Sequence, residues 1–275
     1  MAVGVKARAR FKRALSCFRT GALLGGWLFC SILLASPAQA MGRCGADHID
    51  QHVHVRYIYD GDTVTLRDGR RLRLIGIDTP ELGRDGKADQ PFARAARDAL
   101  RGLLKGRPEL DLRLDHTQHD VHGRLLAHAF LADGTSLSAW LLEQGYATLL
   151  IIPPDDWNAA CYQAAERDAR GSGKGIWSLP EYHPIPSTHL ERTARGYHVI
   201  EGRVIHVGQS ARSLWLDLEG KVAARIDRGD LKYFPAGSLR ELLHKQVIVR
   251  GWVYPYRDEL QLRLRYPTDL EFNNP

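Results

Sequence analysis

Between Tyr59 and Glu81 the chain reads YDGDTVTLRDGRRLRLIGIDTPE, a short span in which carboxylates and guanidinium groups are crowded together. Asp62 and Asp78, near strand ends, with a neighbouring backbone carbonyl, offer the oxygen donors that a hard divalent cation requires. Glu81 is a further carboxylate able to polarise a water molecule, and Arg73 can neutralise charge on a phosphorane-like transition state. Each residue also has a plainer reading. Asp62 can serve the turn at Asp60-Gly61, and Asp78 or Thr79 can cap a helix that opens at Pro80. Arg70, Arg71 and Arg73 can be the wet face of a half-exposed strand. Strict alternation would put Arg73 and Asp78 on opposite faces, so their convergence needs the strand to bend or end, and Gly76 is the place for it.

The elements that must position these groups follow from periodicity. Residues 53–59, 62–66 and 71–77 alternate as a three-strand meander around two Asp-Gly turns. Gln90 to Lys105 has helical spacing with Pro91 in its first turn, followed by strands at 109–115 and 124–131. Helices follow at 136–144, stopped by Gly145, and at 155–170, stopped by the GSGKG run. The class is α+β, mainly β: a five-stranded barrel of the oligonucleotide-binding type with three helices over residues 50–180. Three prolines within 180–196 and no sustained periodicity mark a linker, placed at 181–195. A second, smaller barrel of the same type is expected over 196–272, from runs at 197–207, 213–218, 222–226, 246–254 and 261–264, with a short helix at 237–244.

The first forty residues are a separate matter. Lys6, Arg8, Arg10, Lys12, Arg13 and Arg19 precede an apolar run from Gly21 to Ser36, and Ala38 to Ala40 present small residues for cleavage. That is the layout of a secretory signal peptide, with cleavage after Ala40 and a secreted or periplasmic product holding no stable membrane association. An uncleaved anchor is the alternative, disfavoured because the run is short for a membrane span. The full chain carries 38 basic and 32 acidic residues, net +6, and all six excess cations lie in the leader. Any basic patch in the remainder is therefore local. Cys44 and Cys161 are left as an even pair in an oxidising compartment, and a bridge between them is favoured over two free thiols.

His116, His119 and His122 are read as solvated loop residues, and no HExxH, CxxC or GxSxG is present. The second domain interleaves Trp215, Trp252, Tyr254 and Tyr256 with Arg225, Arg250, Arg263 and Arg265, a composition suited to single-stranded nucleic acid and equally to a small barrel's core and wet face.

Four segments, DGDTV (60–64), RLIGIDTPE (73–81), DVHGRLLAHAF (120–130) and AERDARGSGKGIWS (165–178), together resemble the staphylococcal-nuclease-like (thermonuclease) family over roughly residues 53–178. The resemblance implies calcium, or another divalent cation such as magnesium, held by Asp62, Asp78 and the Thr79 carbonyl. It implies Glu81 as general base, and Arg73 and Arg124 as phosphate-binding catalytic arginines. It further implies a DNA and/or RNA substrate, cut to leave 3′-phosphates. Val121 and His122 stand where well-known secreted members carry lysine and tyrosine, and the aliphatic TLLIIPP (148–154) replaces base-stacking tyrosines. The rival readings are a barrel that binds nucleic acid or protein without cutting it, and a structural envelope protein.

Overall fold

Among the described residues, ten of fourteen strands build two barrels from one strand plan, with three helices beside them. The computed structural model describes residues 44–272 apart from 236 and 238. The leader expected at 1–40 thus lies outside the described residues.

The first barrel uses β1 (Gln51–Ile58), β2 (Thr63–Leu66), β3 (Arg71–Leu74), β5 (Glu109–Arg113) and β6 (Leu125–Phe130). They close in the order β1-β2-β3-β6-β5, with β3 and β6 parallel and the other pairs antiparallel. Between them lie β4 (Gly76–Asp78) and α1 (Ala93–Leu103). After β6 follow α2 (Leu137–Glu143), β7 (Thr148–Leu150) and α3 (Ala159–Gly171). Period-two alternation points Leu66, Leu72, Leu74, Leu110 and Leu112 inward, where they meet Leu100 of α1 and Leu137 and Leu141 of α2. Each such leucine contributes on the order of 2 kcal/mol by leaving water.

β8 (Ile185–Pro186) leads into the second barrel, made of β9 (Gly196–Gln209), β10 (Ser213–Leu218), β11 (Val222–Asp227), β12 (Gln246–Tyr256) and β13 (Glu259–Leu264). Pairing of β12 with β9 closes these five strands, again with the third and fifth parallel, and β14 (Leu270–Phe272) extends the edge beside β12. Both barrels thus run first-second-third-fifth-fourth, the oligonucleotide-binding topology. Their cores are separate clusters, the second centred on Leu216, Ala224, Val249 and Leu262.

Several boundaries differ from the sequence expectation. The third strand is two pieces, β3 and β4, separated at Ile75. α1 begins three residues later than expected because Phe92 takes a left-handed conformation (φ 68°), and Asn158 (φ 63°) delays α3 in the same way. The helix expected at 237–244 is one 3-10 turn, Arg240–Leu242. The proline-rich segment read as a linker is folded onto the second barrel: β8 pairs in parallel with β9, and Ser187 is buried.

Two ion pairs, one buried and one at the surface, hold the barrels together. Arg250 of β12 is ion-paired with Glu166 of α3, each almost wholly buried, and donates through Nε to the Thr268 carbonyl at 2.8 Å. Arg170 Nη1 reaches Glu271 Oε1 at 2.5 Å. A disulfide joins Cys44 to Cys161 across 117 residues, with Cα atoms 5.7 Å apart. It seats the chain ahead of β1 on α3, and Asn158 Nδ2 donates to the Cys44 carbonyl at 3.1 Å.

Candidate active site

Three local devices bring the charged groups together. The turn from β1 to β2 closes through Tyr59 N–H to the Thr63 carbonyl (2.9 Å), and Asp60 Oδ1 accepts from Asp62 N–H (3.1 Å). Both carboxylates are thereby buried at the mouth of the barrel. The bend between β3 and β4 uses Gly76 at φ +87°, where a Cβ would lie 2.6 Å from the Tyr162 ring. That bend lets Arg73 and Asp78 meet, with Nη2 and Oδ1 2.8 Å apart. β4 is in turn held by β7, with Ile77 opposite Leu149 and Asp78 opposite Thr148.

Asp62 is the hub. Its Oδ2 accepts from Thr79 N–H and Thr79 Oγ1, both at 2.9 Å, and pairs with Arg73 Nη1; its Oδ1 accepts from Thr63 Oγ1 at 3.0 Å. Arg73 therefore lies between Asp62 and Asp78. Arg124, entering β6, is gripped by Asp120: Oδ2 takes Nε at 2.6 Å and Oδ1 takes the Arg124 N–H at 2.9 Å. Its Nη1 reaches Thr63 Oγ1 at 3.4 Å, on the residue that also bonds Asp62. Glu81 is exposed, and its backbone is tied to Gln90 by two hydrogen bonds, 2.8 and 3.0 Å.

The site carries more negative charge than its arginine neutralises. Burial, and then the neighbouring Asp62 charge, pushes the Asp60 carboxyl up to about 7. Burial likewise raises Asp78 to about 6, against the opposing pull of Arg73 and with help from Asp62 and Glu81. Four carboxylates thus crowd around one guanidinium, and every available donor is oxygen. That set fits a hard divalent cation, whose charge would relieve the crowding.

The structure brings Asp62, Arg73, Asp78 and Thr79 into direct contact, places Glu81 close enough for its charge to act on Asp60 and Asp78, and links Arg124 through Thr63. Sequence reasoning passed over Asp60 and Asp120. The Asp-Gly-Asp doublet and the spacing of four between Asp120 and Arg124 were the available signals. A groove of about 460 Å³ opens beside Arg73 and Arg124, walled by Leu150, Ile152 and Pro153. The aliphatic 148–154 stretch therefore stands at the rim. Val121 is 96% exposed at the same rim.

Asp115, His116 and Asp155 form a second cluster with potential ligand atoms within 4.8 Å of one another. Its acids are already engaged: Asp155 Oδ1 accepts from Thr117 N–H (2.8 Å), and Asp115 Oδ1 from His116 N–H (3.0 Å). His119 and His122 do not join it.

A barrel of this topology with acids and arginines gathered at the bend of its third strand defines a class that the comparisons make specific. A family model described as staphylococcal nuclease homologue matches residues 71–179. A thermonuclease of Staphylococcus intermedius is 32% identical over 126 residues, 45% of this chain and 74% of the relative. The succinoglycan biosynthesis protein ExoI of Rhizobium meliloti is 32% identical over 132 residues, 46% of this chain and 64% of the relative. A thermonuclease of Staphylococcus hyicus is 29% identical over 147 residues, 52% and 85% of the two chains. The chain belongs to the staphylococcal nuclease homologue family.

Proposed function

We propose that the protein is an exported, divalent-cation-dependent nuclease that hydrolyses phosphodiester bonds of DNA and/or RNA. The observation that carries this reading is the convergence of Asp62, Arg73, Asp78 and Thr79, with Glu81 and Arg124 alongside, in a chain similar to thermonucleases. Asp62, Asp78 and the Thr79 carbonyl would hold the cation, calcium in the first instance. A bound cation supplies Lewis-acid polarisation of a phosphate oxygen and offsets the charge that develops there. Glu81 takes a proton from the attacking water, the water oxygen bonds to phosphorus as the bond to the 5′-oxygen breaks, and that oxygen takes a proton from solvent, giving a 3′-phosphate and a 5′-hydroxyl while Glu81 returns its proton to solvent. Arg73 and Arg124 neutralise the added charge on the equatorial oxygens. Asp120 positions Arg124 by holding its Nε and its backbone N–H.

Export is supported by the leader-like composition of residues 1–40 and by a disulfide, which persists in oxidising compartments. The mature N-terminus is expected at Met41, and N-terminal sequencing of protein from the extracytoplasmic fraction tests it.

Cleavage of single-stranded and duplex DNA, and of RNA, by the purified protein in calcium, magnesium or chelator tests the activity. Cutting should require the cation and fall about 10²–10³-fold or more in each of Glu81→Ala and Arg124→Ala, the scale of one lost transition-state contact. Cutting that persists in chelator, or survives both substitutions, removes the reading.

A further inference from the structure

The outer face of the second barrel presents a row of large side chains in register: Trp215 on β10 lies opposite Arg225 on β11, and Arg225 opposite Arg263 on β13. In this topology the second and third strands, with the first-second and fourth-fifth loops, form the face that takes oligonucleotides. A cleft of about 920 Å³ occupies that face here, bounded by Gly208 at the end of β9 and Ser210 of the first loop, Tyr256 at the end of β12, and Trp215, Arg225 and Tyr254 between.

Hollows that share lining residues run from the cleft toward the candidate active site. Arg225 and Tyr254 also line a second hollow of about 280 Å³, which passes Trp252, Arg263 and Arg265 and ends at Asp78 and Leu150. Leu150 in turn lines the groove beside Arg73 and Arg124. Neighbouring hollows therefore link the first barrel's arginines to the second barrel's aromatics through shared walls.

The groups along these walls are poised for an anionic chain with bare base faces. The Nε atoms of Arg225 and Arg263 are buried without hydrogen-bond partners, Arg225 Nε lying 3.5 Å from Asp227 Oδ1 in an ion pair that lacks hydrogen-bond geometry. Arg265 is half-buried beside Arg263; desolvation, and then the Arg263 charge, lowers its pKa, a crowding that phosphate would relieve. Of the nearby acids, Asp227 is ion-paired with Arg225 and Arg263 and Asp230 with Arg263, while Asp217 and Glu259 are hydrogen-bonded to His206 and to the Gln261 amide. Trp252 and Tyr256 are each 48% exposed, and Trp215 Nε1 is anchored on Ser210 Oγ at 3.4 Å. Aromatic faces stack on unpaired bases, whereas the bases of a duplex are already stacked on one another.

We propose that the outer face of the second barrel is a binding groove for single-stranded nucleic acid that feeds the strand to the site at Arg73 and Arg124. The direction of feeding rests on the nuclease reading; the binding itself does not. Trp215 and Tyr256 stack bases, and Arg225, Arg263 and Arg265 track phosphates.

The test is fluorescence anisotropy of labelled single strands of about 4 to 16 nucleotides, and of a duplex of the greater length, with the whole protein in chelator so that nothing is cut. The Trp215→Ala/Tyr256→Ala pair should weaken long single-strand binding about 10–100-fold. It should also erase the gain in affinity between short and long strands, while the corresponding Phe pair restores most of both. Thermal melts check folding, and Tyr256→Ala alone, at an exposed position, keeps the test open if the pair misfolds. Unchanged single-strand affinity, or an equal loss on the duplex, overturns the proposal. Cutting in divalent cation by the unsubstituted protein is scored separately. Cutting with an unaltered Ala pair sinks the groove alone, and single-strand binding without cutting sinks the nuclease reading alone.

Discussion

Replacing Arg250 by methionine removes the cation at the junction of the two barrels and leaves Glu166 buried with a charge it cannot share. Arg250 and Glu166 side chains are only 3% and 1% exposed, so solvent screens little of the loss. Breaking such a pair from one side costs about 3–5 kcal/mol. The Thr268 carbonyl, which accepts from Arg250 Nε at 2.8 Å, loses its partner as well. Taking about 4 kcal/mol and a slope of about 2–4 °C per kcal/mol for a chain of this size, Tm falls by roughly 8–16 °C. The damage should reach the candidate active site. Glu166 Oε1 accepts from Leu149 N–H at 2.6 Å on β7, and β7 holds β4 and Asp78. Calorimetry gives the Tm, and cleavage assays well below the transition give the effect on turnover. Arg250→Met with Glu166→Gln should recover at least half of the lost stability, because Gln keeps the Leu149 contact without the stranded charge. A Tm change under about 2 °C in the single variant, or a double variant no better than the single, would refute this account of the junction.

Asp60→Asn should stabilise the cation-free protein by about 2–4 kcal/mol above pH 7, since the folded carboxyl titrates near 7 and the unfolded one near 3.8. The wild-type contribution is present at low pH and lost as pH rises through about 7, so the advantage of Asn must vanish toward pH 4; urea titrations across that range decide it, and a pH-independent difference counts against it. Saturating calcium should narrow the gap at pH 8, because bound cation offsets the same charge. Gly76→Ala places a Cβ 2.6 Å from the Tyr162 ring at φ +87°, and should cost about 3 kcal/mol or more in stability while pulling Arg73 from Asp78, with cleavage and urea midpoint falling together. Asp120→Ala should lower kcat about tenfold or more by releasing Arg124, and Asp120→Asn should recover part of it by keeping an acceptor for the Arg124 N–H; an unchanged kcat would remove Asp120 from the positioning role.

The parts legible in the sequence are those written in local pattern. Alternating apolar residues and two Asp-Gly turns marked the meander, and the need for Arg73 and Asp78 to meet pointed to a bend at Gly76. What escaped was set by contacts distant along the chain or by single backbone angles. β4 and β7 have three residues each and exist because they pair with one another, so neither shows a period of its own. The late starts of α1 and α3 come from non-glycine residues in the left-handed region: Phe92, which no propensity marks, and Asn158, a residue type that tolerates that region but does so only in some contexts. Residues 237–244 had helical spacing but carry only one 3-10 turn, and Gly237 at φ 85° does not fit a longer helix. Asp60 was read as turn chemistry, which it performs; its burial against Asp62 is a tertiary fact. The Arg250–Glu166 pair joins residues 84 apart, and each alone looks like a surface charge.

The Cys44–Cys161 bond has a further consequence, in topology. Asp62, Arg73, Asp78, Thr79, Glu81 and Arg124 all lie within the loop that it closes. So does the exposed stretch 84–88, which offers Arg84 and Lys87 to a trypsin-like protease. A cut there opens the ring without dividing the molecule: the segment bearing Glu81 and the segment bearing Arg124 remain one covalent body, docked through a barrel that is already folded. A nicked chain should therefore migrate intact without reductant and as two pieces with it.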